Sequence, residues 1–309
     1  MPTDFSKLKK HADTLRKYTN TLRVKPKERV DLKKHYNTDY DHKMLSQEEG
    51  GELLEFGIEK LSEMQDKLYA SGHHSVLIIF QAMDAAGKDS TIKHIMTGLN
   101  PQGVKVTSFK TPNKLELAHD YLWRHYIALP AAGEIGIFNR SHYENVLVTR
   151  VHPEYILSET IPGVSSLKDI NQKFWDTRFR QINNFEEHLS DNGTLVLKFF
   201  LHVSKKEQKK RFVERIDNAS KNWKFSIADL GERAHWKDYQ QAYEDMLSNT
   251  STKHAPWFVV PADDKWFTRL CIAEIIYEEF DKLNLRYPTL TTEQKAELAK
   301  AKVQLDAEK

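Results

Sequence analysis

The chain has 309 residues, a mass of 36.1 kDa and a formal charge of +2, from 46 Lys/Arg against 44 Asp/Glu. Hydrophobic residues at 39% are enough for a sizeable core, and 12 Gly with 10 Pro exclude a collagenous or low-complexity chain. A single cysteine, Cys271, excludes an intramolecular disulfide and a multi-cysteine zinc site. No apolar run approaches the roughly 18 residues of a membrane span, and the first residues hold no apolar leader core, so a soluble cytoplasmic protein is expected.

Residues 1–50 are polar, with few periodic apolar positions, and read as an arm of short helices and loops packed on the main body. From Leu53 onward Leu54, Ile58, Leu61, Met64 and Leu68 follow three-four spacing, which predicts a helix ended by Ser71-Gly72. Five short apolar runs follow: Ser75–Phe80, Val104–Phe109, Glu134–Phe138, Leu195–Val203 and Trp257–Val260. Between them lie three helical stripes. One carries Trp175, Phe179, Ile182, Phe185 and Leu189; another carries Trp236, Tyr239, Tyr243 and Met246; the last carries Leu270, Ile272, Ile275, Ile276 and Phe280. Strands alternating with helices predict an α/β protein whose parallel sheet is covered on both faces. Val76–Phe80 and Leu195–Phe200, read as uniformly apolar, suit strands buried on both sides.

Sheets of this kind bind ligands beyond the carboxyl ends of their strands. After the first strand comes Ala82-Met83-Asp84-Ala85-Ala86-Gly87-Lys88-Asp89-Ser90, then a helical run. In that layout the stretch Ala85, Ala86, Gly87, Lys88, Asp89 and Ser90 would cradle phosphate oxygens with backbone N–H groups while Lys88 adds a positive charge, the alternative being a tight strand-to-helix turn with an incidental lysine. Ala82 stands where the usual pattern opens with glycine. Asp89 replaces the usual magnesium-holding Ser/Thr, so Asp89 or Asp84 would offer carboxylate oxygens to the metal.

After the third strand comes Asn139-Arg140-Ser141-His142-Tyr143-Glu144. Asn139 cannot act as a general base, Arg140 would aim a guanidinium at the same cleft, and Glu144 could restore the missing negative charge. The local alternative makes Asn139 or Ser141 a helix N-cap and Glu144 its first-turn partner. Between Lys205 and Lys237 there are ten Lys/Arg and five Asp/Glu. Arg211 and Arg215 share one helix face, and Lys221 and Lys224 follow. A mobile basic helix closing over the loop would supply positive charge to a moving phosphoryl group and exclude water. A solvated face is the alternative, preferred for Lys205, Lys206 and Lys209. His73, His74, His202 and His235 lack ligand spacing, and Cys271 lies on an apolar helix as a core residue.

Taken together, Asp84-Ala85-Ala86-Gly87-Lys88-Asp89, Phe138 to Glu144 and Lys221-Asn222-Trp223-Lys224-Phe225-Ser226 resemble the polyphosphate kinase 2 family. Trp236 to Met246 and His254-Ala255-Pro256-Trp257 extend the resemblance over roughly residues 50–285. It implies a three-layer αβα P-loop kinase fold related to thymidylate kinase, with a five-stranded parallel sheet and a helical lid. The implied organisation is an arm at 1–50, a kinase domain at 51–285 with its lid at about 205–237, and a charged helical tail at 286–309.

The resemblance also implies reversible transfer between inorganic polyphosphate and a nucleotide, dependent on Mg2+ with Mn2+ as the alternative. Adenine nucleotides, with guanine second, are the expected acceptors of a homo-oligomer, dimer or tetramer, that binds neither nucleic acid nor membrane. The Asn139-to-Glu144 stretch is similar to the third subgroup, which acts on both AMP and ADP. On this resemblance Asp84 and Lys88 are the Walker A pair, Asn139 and Arg140 the Walker B pair, and Arg215 the lid arginine. Asp84 and Glu144 are the expected metal ligands, while Arg211, Lys221 and Lys224 grip polyphosphate. Two rivals stand beside it: an ATP-dependent nucleoside-monophosphate kinase, and a non-catalytic polyanion or RNA binder using the basic stretch.

Overall fold

Five apolar runs become five parallel strands in a computed structural model that describes residues 5–41 and 43–308. They are β1 (Ser75–Ala82), β2 (Val104–Ser108), β3 (Ile135–Asn139), β4 (Thr194–His202) and β5 (Trp257–Pro261), in the order β2-β3-β1-β4-β5. The central strand β1 is buried at all eight positions, as a strand covered on both faces must be. Phe80, Phe199 and Phe258 occupy adjacent registers and form a ladder with centroid spacings of 5.4 and 5.7 Å. The alternate β4 residues Lys198 and Phe200 point to the opposite face, because side chains alternate along a strand.

The main helices are α1 (Phe5–Thr21), α2 (Gln47–Ser71), α3 (Lys88–Ile95), α4 (Gln172–Asp191), α5 (Lys205–Asp217), α6 (Ala228–Ala234), α7 (Trp236–Thr250), α8 (Lys265–Asp281) and α9 (Thr292–Asp306). Helices α1, α2 and α3 gather on α8, while α4 packs on α7. Phe200 of β4 stacks on Tyr243 of α7 at 4.3 Å, and Lys198 reaches Glu186 of α4. No helix among the described residues is long and apolar enough to cross a membrane.

Three sequence expectations change. Helix α2 begins six residues earlier than Leu53, at Gln47, where Ser46 and Glu49 form a reciprocal capping box. The proposed boundary at residue 50 therefore falls inside a helix. The N-terminal segment is more than short helices and loops: α1 has 17 residues, and Leu15, Val24, Leu32 and Tyr40 are buried. Arg23 bridges Phe258 in antiparallel fashion, with Val24 N–H donating to the Trp257 carbonyl at 2.9 Å. This covers the β5 edge, which would otherwise present unpaired backbone groups. Tyr40 stacks on Phe267 of α8 at 3.7 Å, tying the same segment to the core. The first four residues of the expected arm, His42 and Lys309 lie outside the described residues.

The third change concerns β4, which is not uniformly apolar: Lys198 sits at its centre, fully buried. Helix α9 occupies Thr292–Asp306 and buries no residue. Cys271 is fully buried and burial pushes its thiol well up, as suits a core residue.

Close packing makes one glycine of β3 testable. A Cβ on Gly136 would lie 2.8, 3.1 and 3.2 Å from three ring atoms of Pro130. A proline ring cannot swing aside, so Gly136→Ala is expected to destabilise by about 1–3 kcal/mol. A lowered urea midpoint at unchanged slope is the expected result, and an unchanged midpoint would contradict this packing.

Candidate active site

The loop after β1 is shaped by backbone conformation. Ala85 and Gly87 both take positive φ, 60° and 106°; the first is uncommon for a residue with a Cβ and marks strain at a functional turn. Gly87 caps α3 without any side-chain hydrogen bond. The helix's first N–H groups therefore point, with its positive dipole end, at whatever anion lies over the loop. Lys88 folds back across this cradle, its Nζ donating to the Ala82 carbonyl at 3.0 Å. Burial lowers its pKa, Arg140 adds to that, and Asp84, Glu144 and Asp89 oppose it. Ala82 thus contributes a carbonyl, which any residue supplies equally well.

The end of β3 closes the other side. Arg140 has a φ of 64°, and its N–H donates to the Phe80 carbonyl at 3.2 Å. Its Nη2 reaches Asp84 Oδ1 at 3.0 Å, so the strand-end arginine and the loop acid form one unit. Asn139 Nδ2 donates to Asp89 Oδ1 at 2.7 Å. An aspartate at 139 would set two carboxylates against each other, whereas the amide supplies a donor. Of the capping alternatives, Ser141 does cap the following turn, accepting from the Tyr143 N–H at 3.2 Å. Asn139 does not. Glu144 faces the site, where burial raises its pKa and the nearby Arg140 and Lys88 oppose that rise.

The lid requires a correction. Arg211 is buried and all five of its N–H groups are engaged. Nε donates to Glu207 at 2.9 Å, Nη1 to the carbonyls of Ala85 and Ala86 at 3.1 and 2.7 Å, and Nη2 to those of Ala262 and Asp263 at 2.7 and 3.0 Å. No donor is left for polyphosphate. Its work is to hold the Ala85 and Ala86 carbonyls and so fix the shape of the loop. Gln208 adds a third clamp, Nε2 to the Asp84 carbonyl at 3.0 Å. The first half of α5 is therefore fastened to the loop, contrary to a basic helix mobile along its whole length.

The other lid residues fall differently. Arg215 lies 3.4 Å from the Lys224 carbonyl and 3.7 Å from Asp229. Lys221 pairs with Glu214 of α5, and Lys224 lies exposed over Trp223, so neither lysine is brought onto the loop. Arg211→Lys offers three donors where five are used, and about a 100-fold fall in kcat/KM is expected from the misplaced loop. Steady-state kinetics on the folded variant check this, and parental kcat/KM would restore Arg211 to a peripheral role.

Two residues escaped sequence reasoning. Asp229 on α6 carries a raised pKa, from burial and from the negative charge of Asp84, opposed by Arg215 and Arg140. Nothing in its sequence neighbourhood distinguishes it from a surface acid. Arg124 lines a hollow of about 500 Å³ alongside β2 and the loop that follows it, with Lys105, Thr107, Ser108, Lys110 and Thr111. Its Nη groups hold Glu116 and the Lys110 carbonyl, while its buried Nε has no partner.

A glycine-lysine loop, a strand-end arginine on the loop acid and a basic lid on a parallel sheet define a phosphate-binding α/β protein of the P-loop class. The sequence model of the family described as Polyphosphate kinase 2 matches residues 44–287. The chain belongs to the polyphosphate kinase 2 family. It is 50% identical to an ADP-polyphosphate phosphotransferase of Rhodopseudomonas palustris over 93% of this chain and 98% of that one. An AMP/ADP-polyphosphate phosphotransferase of Meiothermus ruber is 44% identical over 86% and 94% of the two chains. The crystal structure of polyphosphate kinase 2 from Arthrobacter aurescens TC1 matches with a TM-score of 0.81 at 37% identity, over 91% and 94%.

Proposed function

We propose that the protein transfers phosphoryl groups reversibly between inorganic polyphosphate and adenine nucleotides, converting AMP to ADP and ADP to ATP. The observation that carries this reading is the amide at the end of β3. Asn139 is bound to Asp89 and offers no base. A hydroxyl acceptor would need one, whereas a nucleotide's terminal phosphate oxygen is already anionic. The remaining obstacle is repulsion between two polyanions, which positive charge and positioning overcome. Lys88 and Arg140 stand beside the loop to offset it, with Arg215 approaching from the lid. The basic hollow at Lys105, Lys110 and Arg124 suits the second anion.

Magnesium fits the same residues. Among the described residues no three His, Cys, Asp or Glu side chains are grouped closely enough to hold an ion. Mg2+ commonly keeps waters and substrate phosphates beside one or two carboxylates, so a sparse hard-oxygen set suffices. We assign Asp84 and Glu144 to it, and Mn2+ substitutes through the same oxygen preference. When bound, the ion supplies further charge neutralisation at the transferring phosphate.

The test is an ATP-free reaction containing Mg2+, polyphosphate and either AMP or ADP, followed by chromatography. Product from both acceptors is expected, and chelation with EDTA stops it. Product from ADP alone would undo the broader acceptor range. Turnover only with added ATP would make the protein an ATP-dependent nucleoside-monophosphate kinase. Salt-sensitive polyphosphate binding without turnover would leave a non-catalytic binder.

A further inference from the structure

Beneath the strand-end turn lies a charged cluster that phosphate binding does not use. Lys198 of β4 and Glu186 of α4 are both fully buried, with Nζ and Oε2 2.5 Å apart. Taking two charges out of water carries a heavy desolvation penalty, and a well-packed apolar pair is often at least as stable. Fold stability alone is therefore a weak reason for the pair. Its remaining contacts give a better one. Lys198 Nζ also donates to the Tyr143 hydroxyl at 2.8 Å and to the Thr250 carbonyl at 2.7 Å. The Tyr143 hydroxyl donates to Glu186 Oε1 at 2.7 Å, and His142 Nε2 lies 3.3 Å from that same oxygen. Burial keeps the His142 imidazole towards its neutral form, so a proton on Nε2 completes this contact.

We propose that Glu186, held in place by Lys198, is a positioning residue for phosphoryl transfer: through Tyr143 and His142 it fixes the turn that aims Arg140 and Glu144. The sequence places the two anchored side chains directly between those two site residues. From the β1 side the turn is held by the Arg140 N–H on the Phe80 carbonyl and by Gln81 Nε2 on Ser141 Oγ at 3.1 Å. A turn fixed only there could pivot about β1. The Glu186 carboxylate provides the second point, from the opposite side, and both points together hold Arg140 at its positive φ. Lys198 fixes the carboxylate in turn, so the ion pair acts as a rigid post. Its charge matters less than the oxygen it presents.

This inference rests on the polyphosphate-transfer reading, and its test separates the two. Tyr143→Phe removes one link while leaving the ion pair, and His142→Phe removes the other, giving a second measurement should Tyr143→Phe not fold. For either, kcat per folded molecule is expected to fall about 10–100-fold, with KM for polyphosphate and AMP within about twofold. Amide exchange over residues 140–146 should quicken while β1 stays protected. The paired change Lys198→Met with Glu186→Leu removes the post and its acceptor oxygen without leaving an unpaired buried charge, and should lower kcat about as far as the single variants. Unchanged kcat and exchange in the single variants, or losses that only follow the folded fraction, would overturn the positioning role. Quickened exchange in a protein whose parent never uses polyphosphate would instead defeat the functional reading and leave the anchor standing.

Discussion

Lys88→Ala is expected to lower kcat by about 100- to 1000-fold, comparable to deleting one preorganised donor at a developing charge. Lys88 is the cation the loop itself carries, lying across it to the Ala82 carbonyl. Negative charge on the transferring group is spread over its oxygens, so a missing ammonium is felt at the barrier. The fold should survive, because the Ala82 carbonyl is a strand-end acceptor and Arg211 still clamps the carbonyls of Ala85 and Ala86. Kinetics paired with a melting curve check both halves of this expectation. Retained turnover in Lys88→Ala would remove the phosphate-cradle reading of the loop.

The second large effect is on stability. Lys198→Ala leaves the Glu186 carboxylate in the core with no countercharge, and about 3–5 kcal/mol of destabilisation is expected. Tyr143 and His142 still approach that carboxylate as hydrogen-bond partners, but the Lys198 ammonium that faced it is gone. Replacing both members, by Lys198→Met with Glu186→Leu, should recover much of the loss, because the desolvation penalty of each ion disappears together with their attraction. Urea denaturation of the single and double variants measures the difference. Equal losses in both would mean that packing around β4, rather than charge, dominates there.

Legibility in the sequence followed how local each feature is. The Gly87-Lys88 turn and its flanking strand and helix lie within about twenty residues, and their partners are residue types with plain chemistry. All five strands are marked by apolar runs, so the sheet was readable with ends shifted by one or two residues. The rule that ligand-handling residues gather at strand ends put Arg140 and Asp84 in one cleft, but not in the direct contact they make. Arg211 defied the same logic because its partners are mostly backbone carbonyls, which leave no signature in residue type. A basic residue near a phosphate loop looks the same whether it holds the phosphate or the loop.

Other features were visible but misread. Lys198 interrupts Leu195-Val196-Leu197 and Phe199-Phe200-Leu201, and Glu186 follows Phe185 inside an apolar stripe. A charge at a core position in each of two neighbouring elements is the available signal for a buried pair. The N-terminal segment was underrated for a different reason. Leu15, Val24, Leu32 and Tyr40 pack separately on helices and on the β5 edge, so they trace no single periodic stripe. Asp229 became recognisable only once α6 folded back toward Asp84 and Arg140, a placement no spacing rule supplies.

The most direct measurement is the fate of the phosphorus itself. Polyphosphate labelled with ³²P is incubated with unlabelled AMP, a divalent cation and the full-length protein, with no ATP present. The account predicts label in the β-phosphate of ADP, formed by the parent and lost with Lys88→Ala. ADP that forms only when ATP is supplied, and carries no label from polyphosphate, would contradict it.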